Sequence, residues 1–318
     1  KSRRGRIIQA FAWLILAIIL YRFVYRDIKL SSFISELSSI NEAHSLLFFS
    51  IAVLLMPLNW LLESKKWQSS LRGIVRLTTA KAFLYVFQGI SLGIVSPGRI
   101  GEYGGRVIYL PKESQVSGAL GVFRCSLAQN LMNIGIGIWG FLILSPTLNG
   151  FADINDVLIY AFGSAVLIAI FVAYIQLPWL VGKLVRISLV KKWIPSQLES
   201  QTNRLTFEAN IRIVIFSLLR YAVYAAQYII ILLAFGIEIQ PIQYLAGVAL
   251  IFAIQSLLPL TPLLQFTIRG SIAVFVFASI TQQEASLVLS SYVMWLLNLL
   301  VPAIFGVGSL LLMKVSNQ

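Results

Sequence analysis

The sequence predicts an all-α polytopic membrane protein: about six full transmembrane helices plus two inverted re-entrant helical hairpins, within a single integral membrane domain over residues 1–318. Three observations predict it. The chain is 58% hydrophobic and only 12% charged, with a mean hydropathy of +0.85, whereas a soluble domain carries about 25% charged residues. Several apolar runs reach the ~20 residues that cross a bilayer as helix. Two further apolar regions are broken in the middle by proline, glycine or arginine, so neither reads as a simple span. A β-barrel would show short alternating segments instead.

The formal net charge of +13 comes largely from lysines and arginines flanking apolar runs. That placement suits membrane orientation and anionic headgroups. No nucleic-acid motif accompanies it, so the expected partner is membrane lipid, not nucleic acid. The lone Cys125 and lone His44 exclude an intramolecular disulfide and most metal and triad chemistry. No cofactor is expected.

Span one covers about Ile7–Val24. Lys1, Arg3, Arg4 and Arg6 precede it and place the N-terminus in the cytoplasm. No small-residue cleavage site follows, so it reads as an anchor and not a signal peptide. An amphipathic stretch over residues 28–44 should lie on the outer surface. Span two, about Leu47–Leu62, runs into "NWLLESKKWQSSLRGIVR". Lys65, Lys66, Arg72 and Arg76 mark its inner end, with Trp60 and Trp67 as interface anchors. The first broken region, about 79–112, reads as a hairpin entering from the cytoplasm. Span three is about Ala119–Leu144. The loop with Asp153 and Asp156 should be outside, and span four is about Val157–Leu177. A basic cytoplasmic loop, about 178–212, carries Lys183, Arg186, Lys191, Lys192, Arg204 and Arg212. Span five is about Ile213–Phe235. The second broken region, about 242–280, is interrupted at Pro259 and Pro262 and should enter from outside. The last span is about Glu284–Leu312, and Lys314 keeps the C-terminus cytoplasmic.

The two broken regions echo each other. Ser91–Pro97 reads "SLGIVSP" and Ser256–Pro262 reads "SLLPLTP", both S-L-x-x-x-[ST]-P. Eight residues beyond each final proline stands a glycine, Gly105 or Gly270, beside Arg106 or Arg269. Broken helices in opposite orientations are a transporter architecture with the site near the midplane.

The stretch "SPGRIGEYGGR", Ser96–Arg106, carries the chemistry. Non-helical backbone at membrane depth must be buried in protein or line a watery cavity. Pro97, Gly98 and Gly101 allow a tight turn into a new half-helix, whose N-terminus favours anions. Arg99 and Arg106 add guanidinium groups that match phosphate bidentately. Glu102 is positioned to pair an arginine or meet a cationic headgroup. An arginine at the bilayer centre costs about 2.5–3.5 kcal/mol on insertion scales. By that reasoning Arg269, after Pro262 in the second hairpin, is the strongest single site residue. Arg124 in span three and Arg220 in span five are further candidates, with Tyr221, Tyr224, Gln227, Gln129 and Asn130 as polar lining.

These motifs resemble those of a known family. "SPGRIGEYGGRVIYL" is similar to the "PGRxGE…R" signature of the lysylphosphatidylglycerol synthase transmembrane region, a flippase-like group. Pro97, Gly98, Arg99, Gly101 and Glu102 match directly, and Arg106 stands near the following arginine. "NWLLESKKWQSSL" resembles the inner end of that family's second span. "PLTPLLQFTIRG" falls at its second motif, with Leu263 and Leu264 where glycines are usual and Gly270 where a glutamate is usual. An arginine–aspartate pair early in span three is represented by Arg124 alone. The resemblance implies movement of a lipid between leaflets. It also implies, in some members, a soluble aminoacyl-transfer domain, which no polar stretch of this sequence is long enough to fold.

The expected function is therefore translocation of an anionic phospholipid or lipid-linked phosphate between leaflets of the inner (cytoplasmic) membrane, with no ATP-binding motif and no catalytic constellation. The alternatives are a secondary transporter of a small anion, and a membrane-embedded lipid-modifying transferase or its partner subunit. A homodimer or a separate lipid-synthesising enzyme are the expected protein partners.

Overall fold

A chain in hydrocarbon must satisfy its peptide groups internally, which leaves helices as the economical choice. The computed structural model describes residues 42–94, 96, 99–146, 156–176, 207–258 and 262–316, with Trp179 and Lys183 between them. Among these residues it contains helices, turns and short connections, and no strand. The first span, most of the 28–44 segment, Pro97, Gly98, the loop with Asp153 and most of the basic loop lie outside the described residues.

In chain order the helices are α1 (Glu42–Ser70), α2 (Thr79–Ile94), α3 (Ile100–Val107), α4 (Lys112–Leu144), α5 (Asp156–Ile175), α6 (Phe207–Ala234), α7 (Pro241–Leu257), α8 (Pro262–Phe277), α9 (Glu284–Trp295) and α10 (Val301–Ser316). A five-residue π-helical segment, Leu296–Leu300, joins α9 to α10. Four continuous helices are long and apolar enough to cross a membrane: His44–Ser70, Lys112–Leu144, Phe207–Ala234 and Glu284–Leu312. They fall where the sequence puts spans two, three, five and last. The chain is an all-α polytopic membrane protein.

The first broken region is a hairpin. After α2 the chain turns and α3 packs back along it through a seam of glycines. A methyl group at Gly105 would meet the Gln88 carbonyl oxygen and the Gly89 Cα at 2.7 Å, and one at Gly93 would meet the Glu102 side chain at 3.1 Å. At Gly101 it would strike the Leu92 carbonyl. Glycines four apart on both helices thus let the backbones touch, as small residues do in membrane helix pairs. The second region is a looser hairpin. Gly247 of α7 faces the Phe277 ring of α8, but Gly270 faces Val288 of α9. Phe266 of α8 likewise stacks on Tyr292 and packs edge-on against Trp295.

The two halves interlock reciprocally. α1 and α6 run antiparallel: Ser45 Oγ donates to the Ala234 carbonyl (2.7 Å) and Gln227 Nε2 to the Ala52 carbonyl (2.7 Å). The first hairpin packs on the last span, where Ser91 Oγ donates to the Ala303 carbonyl (2.7 Å) and Gly306 sits against the Phe87 backbone. The second hairpin packs on α4, where Gly137 and Gly140 admit Ala253, Ala249 and the Ala246 backbone. Each half lends its hairpin to the other half's last helix, the arrangement an inverted repeat requires. At the crossing of α1, α6 and the π segment, Asn59 donates to Asn298 (2.8 Å) and Asn298 to Gln227 (2.8 Å). The π-turn brings the Asn298 amide into this buried chain, a use typical of π-bulges.

One expectation is overturned at the end of span two. α1 continues to Ser70 rather than stopping at Leu62. That extension carries Lys66 and Trp67 into the interior, where with Trp60 they pack against α2 and α4 and are 1%, 0% and 3% exposed, in that order. Trp67 Nε1 donates to the Gly118 carbonyl (3.3 Å), and Trp60 packs edge-on against Phe87. They are interior residues, not interface anchors. Only charges further out, such as the exposed Arg72, remain at the surface.

The glycine seam predicts opposite outcomes for neighbouring substitutions. Gly104→Ala, which meets no atom within 4 Å, should leave thermal stability in detergent unchanged or raised, since alanine is the better helix former by ~1 kcal/mol. Gly105→Ala should lower it by about 1–3 kcal/mol through overpacking. Equal melting temperatures would rule the seam out.

Candidate functional site: an arginine-rich cavity between the hairpins

Arg99 opens α3 in an unusual backbone conformation. Its φ of 60° and ψ of 24° are left-handed, and it is the one non-glycine residue with positive φ among those described. Such a conformation costs roughly 1–2 kcal/mol for an L-residue. Ser96 braces it: the Arg99 amide donates to the Ser96 carbonyl (3.2 Å), and Ser96 Oγ accepts from the Gly101 amide (2.8 Å) while donating to the Gly93 carbonyl (3.1 Å). Strain held in place by local hydrogen bonds is typical of functional sites.

Behind this turn lies a buried ion network. Glu63 of α1 accepts from Arg106 of α3 at 2.9 Å, pairs with Lys66 at 2.7 Å and lies 3.5 Å from Arg220 of α6. Glu102 pairs with Arg106 and, at 2.8 Å, with Arg99. Glu63, Lys66, Glu102 and Arg106 are all buried. Charges this far from water persist only when paired and hydrogen-bonded. Arg220 also lies over the Trp60 ring, 5.1 Å from its centroid, a cation–π contact. Polar side chains extend the network to the second hairpin. Lys66 donates to Gln129 (3.1 Å), Gln129 to Asn133 (3.3 Å), and Asn133 to Ser256 of α7 (2.9 Å).

These groups face one cavity of about 370 Å³. Hairpin one contributes Arg99, Glu102, Tyr103 and Arg106; hairpin two contributes Phe252, Gln255, Ser256 and Arg269, with Leu258 at its turn. α1, α4 and α6 supply the rest, including Trp60, Glu63, Lys66, Ser126, Gln129, Asn130, Asn133, Arg220, Tyr221 and Tyr224. Five cationic side chains stand against two carboxylates, an excess of three positive charges. Among the described residues Arg269 makes no ion pair, and its buried Nε has no hydrogen-bond acceptor.

Of the residues singled out from sequence, Arg99, Glu102, Arg106, Arg220 and Arg269 come together here. Pro97 and Gly98 lie outside the described residues, and Pro262 opens α8. Gly101 faces the Leu92 backbone and serves the hairpin seam. Arg124 does not join. It hydrogen-bonds Asn210 of α6, and Tyr174 of α5 donates to its carbonyl (3.1 Å). It stands two residues before the cavity-lining Ser126, roughly 200° away around the helix, so its side chain points away from the cavity to Asn210 of α6. Arg106 is also enclosed, 1% exposed between two carboxylates.

Glu63 and Lys66 are cavity-lining residues that the sequence did not single out as site candidates. The signal was present: Asn59, Glu63, Lys66 and Ser70 form a polar stripe along one face of an apolar helix, at helical spacing.

The profile described as the lysylphosphatidylglycerol synthase TM region matches residues 9–306. The chain belongs to this family. The match spans both hairpins and every cavity-lining residue. Membership in the lysylphosphatidylglycerol synthase TM family points to a lipid-related function in a membrane. The chain matches no curated protein.

Glu63→Gln should lower thermal stability in detergent by about 3–5 kcal/mol, because it strands buried cations. Glu208→Gln, which breaks an exposed pair with Arg212 (2.6 Å), should leave the melting temperature where it was. A Glu63→Gln protein as stable as its parent would contradict the pairing.

Proposed function

We propose that the protein translocates an anionic phospholipid or lipid-linked phosphate between leaflets, without ATP hydrolysis. One observation carries the reading: a polar cavity with an excess of three positive charges, walled by both hairpins and holding Arg269, which makes no ion pair among the described residues. A phosphate headgroup supplies the missing negative charge and accepts bidentate guanidinium hydrogen bonds. Acyl chains could stay in hydrocarbon, against the apolar outer faces that carry exposed Leu54, Phe162, Phe275 and Leu312. The flanking charges read from sequence put both termini in the cytoplasm, so hairpin one would approach the site from that side and hairpin two from the other.

A transferase is less well supported. It needs a free acid or base, and both cavity carboxylates are engaged by cations. A small-anion transporter would use the same arginines and is separated from a lipid translocase by experiment.

The test is reconstitution of the full chain into unilamellar vesicles containing fluorescent phosphatidylglycerol, followed by chemical quenching of the outer leaflet. Quenching beyond the outer-leaflet fraction should depend on protein. Arg269→Ala should slow it at least about tenfold, the loss of one charge-assisted interaction of ~1.5–3 kcal/mol. Vesicles that quench no further than protein-free ones would sink the proposal, and phosphate uptake in their place would favour the small-anion transporter.

A further inference from the structure

We infer that the cavity selects lipid headgroups bearing two or more negative charges, such as a phosphomonoester or diphosphate, and disfavours a lysyl-bearing headgroup. The inference rests on the lipid-translocation reading for its lipid, but it concerns binding and stands apart from transport.

Charge balance is the first support. Glu63 is shared by Lys66, Arg106 and Arg220, and Glu102 by Arg99 and Arg106. Two carboxylates offset two of five cations, and three charges remain. A phosphodiester with one negative charge leaves two of them uncompensated, and unpaired charge grows costly as a bound headgroup displaces water. A phosphomonoester carries about −1.5 to −2 at neutral pH and comes nearer to balance.

Donor geometry agrees. A guanidinium has five N–H donors, and among the described residues Arg99 and Arg220 each pair with one carboxylate while Arg269 pairs with none; all three line one cavity. A phosphomonoester presents three terminal oxygens to such donors, whereas a diester presents two. The cavity's ~370 Å³ lies within the usual range for small-molecule sites.

The lysyl headgroup that names the family fits poorly. Its ammonium requires a carboxylate or other acceptor. Both carboxylates here already hold arginine or lysine. An added cation would meet the residual positive charge without a partner.

The experiment uses the purified full chain in detergent. Thermal stabilisation and native mass spectrometry would compare short-chain phosphatidic acid, phosphatidylglycerol, lysylphosphatidylglycerol and inorganic phosphate. The expected order is phosphatidic acid, then phosphatidylglycerol, then lysylphosphatidylglycerol, with about tenfold between the first two, the ~1.4 kcal/mol of one further charge contact. Phosphatidic acid should bind tighter as pH rises from about 6 to 8 and its second proton leaves, while phosphatidylglycerol should not respond. Arg269→Gln should narrow the gap between these two lipids. Lysylphosphatidylglycerol binding as tightly as phosphatidic acid would overturn the inference. So would a phosphatidic acid affinity indifferent to pH, or absence of binding by all three lipids. Inorganic phosphate binding as tightly as phosphatidic acid would overturn its assignment to a lipid. If the order holds while vesicles show no lipid transfer, translocation fails and the binding preference survives.

Discussion

Glu63 holds the interior together. Its carboxylate draws Lys66 from its own helix, Arg106 from the short α3 and Arg220 from α6. α3 has only eight residues, so it cannot define its own place in a membrane, where apolar contact gives helices little reason to associate. Packing against α2 through glycine brings it close, and the Glu63–Arg106 pair ties it to a full span. Arg106 then fixes Glu102, and Glu102 holds Arg99 at the cavity wall. The strained turn at Arg99 therefore depends on a charge thirty-six residues earlier in the chain. A buried pair of this kind contributes little net stability, since desolvation offsets attraction. What it contributes is position: any arrangement that separates the partners leaves an uncompensated charge out of water.

The inverted repeat explains why the cavity lies where it does. α1 and α6 cross antiparallel, and each hairpin leans on the last helix of the opposite half. Two such hairpins converge on the crossing, and their helices wall the cavity. The halves have diverged in chemistry. Hairpin one is closed by a glycine seam and two internal ion pairs. Hairpin two has Gly270 turned toward α9, and its cation makes no ion pair among the described residues. The echo of S-L-x-x-x-[ST]-P between them is a likeness of sequence, and the glycine that follows each serves a different neighbour.

Much of this architecture is legible in the sequence because hydropathy and helix-breaking residues obey short-range rules. The C-terminal ends of α4 and α6 and the extent of α9–α10 follow from apolar length, while α4 and α6 begin seven and six residues before the expected Ala119 and Ile213; both hairpins follow from breaks within apolar runs. Arg99, Arg220 and Arg269 could be singled out because arginine in hydrocarbon is expensive wherever it occurs. Glu63 and Lys66 were hidden by their setting. "LLESKKW" looks like the basic end of a span, and local charge cannot tell whether the helix stops or continues inward. Arg124 was misleading for a complementary reason: its cost is met by Asn210 on the far face of α4, and only three-dimensional packing reveals which face a helix offers. The partners of Arg106 were half visible, since Glu102 lies one turn away while Glu63 comes from another helix.

The division of labour between the hairpins bears on how a ligand would act. The cations of hairpin one are paired on folding, so their arrangement exists before any ligand arrives. Preorganised groups of this kind lose little on binding. Arg269 has no such partner among the described residues, and its hairpin meets the rest of the site through the neutral contact between Ser256 and Asn133 (2.9 Å). A ligand anion touching both walls would thus gain most of its new charge contact on the hairpin-two side. A ligand shifts a conformational equilibrium only through its differential affinity for the two states. On the proposed reading, states that differ in the position of hairpin two are the ones a headgroup would discriminate, while hairpin one, clamped by Glu63, would serve as the fixed wall.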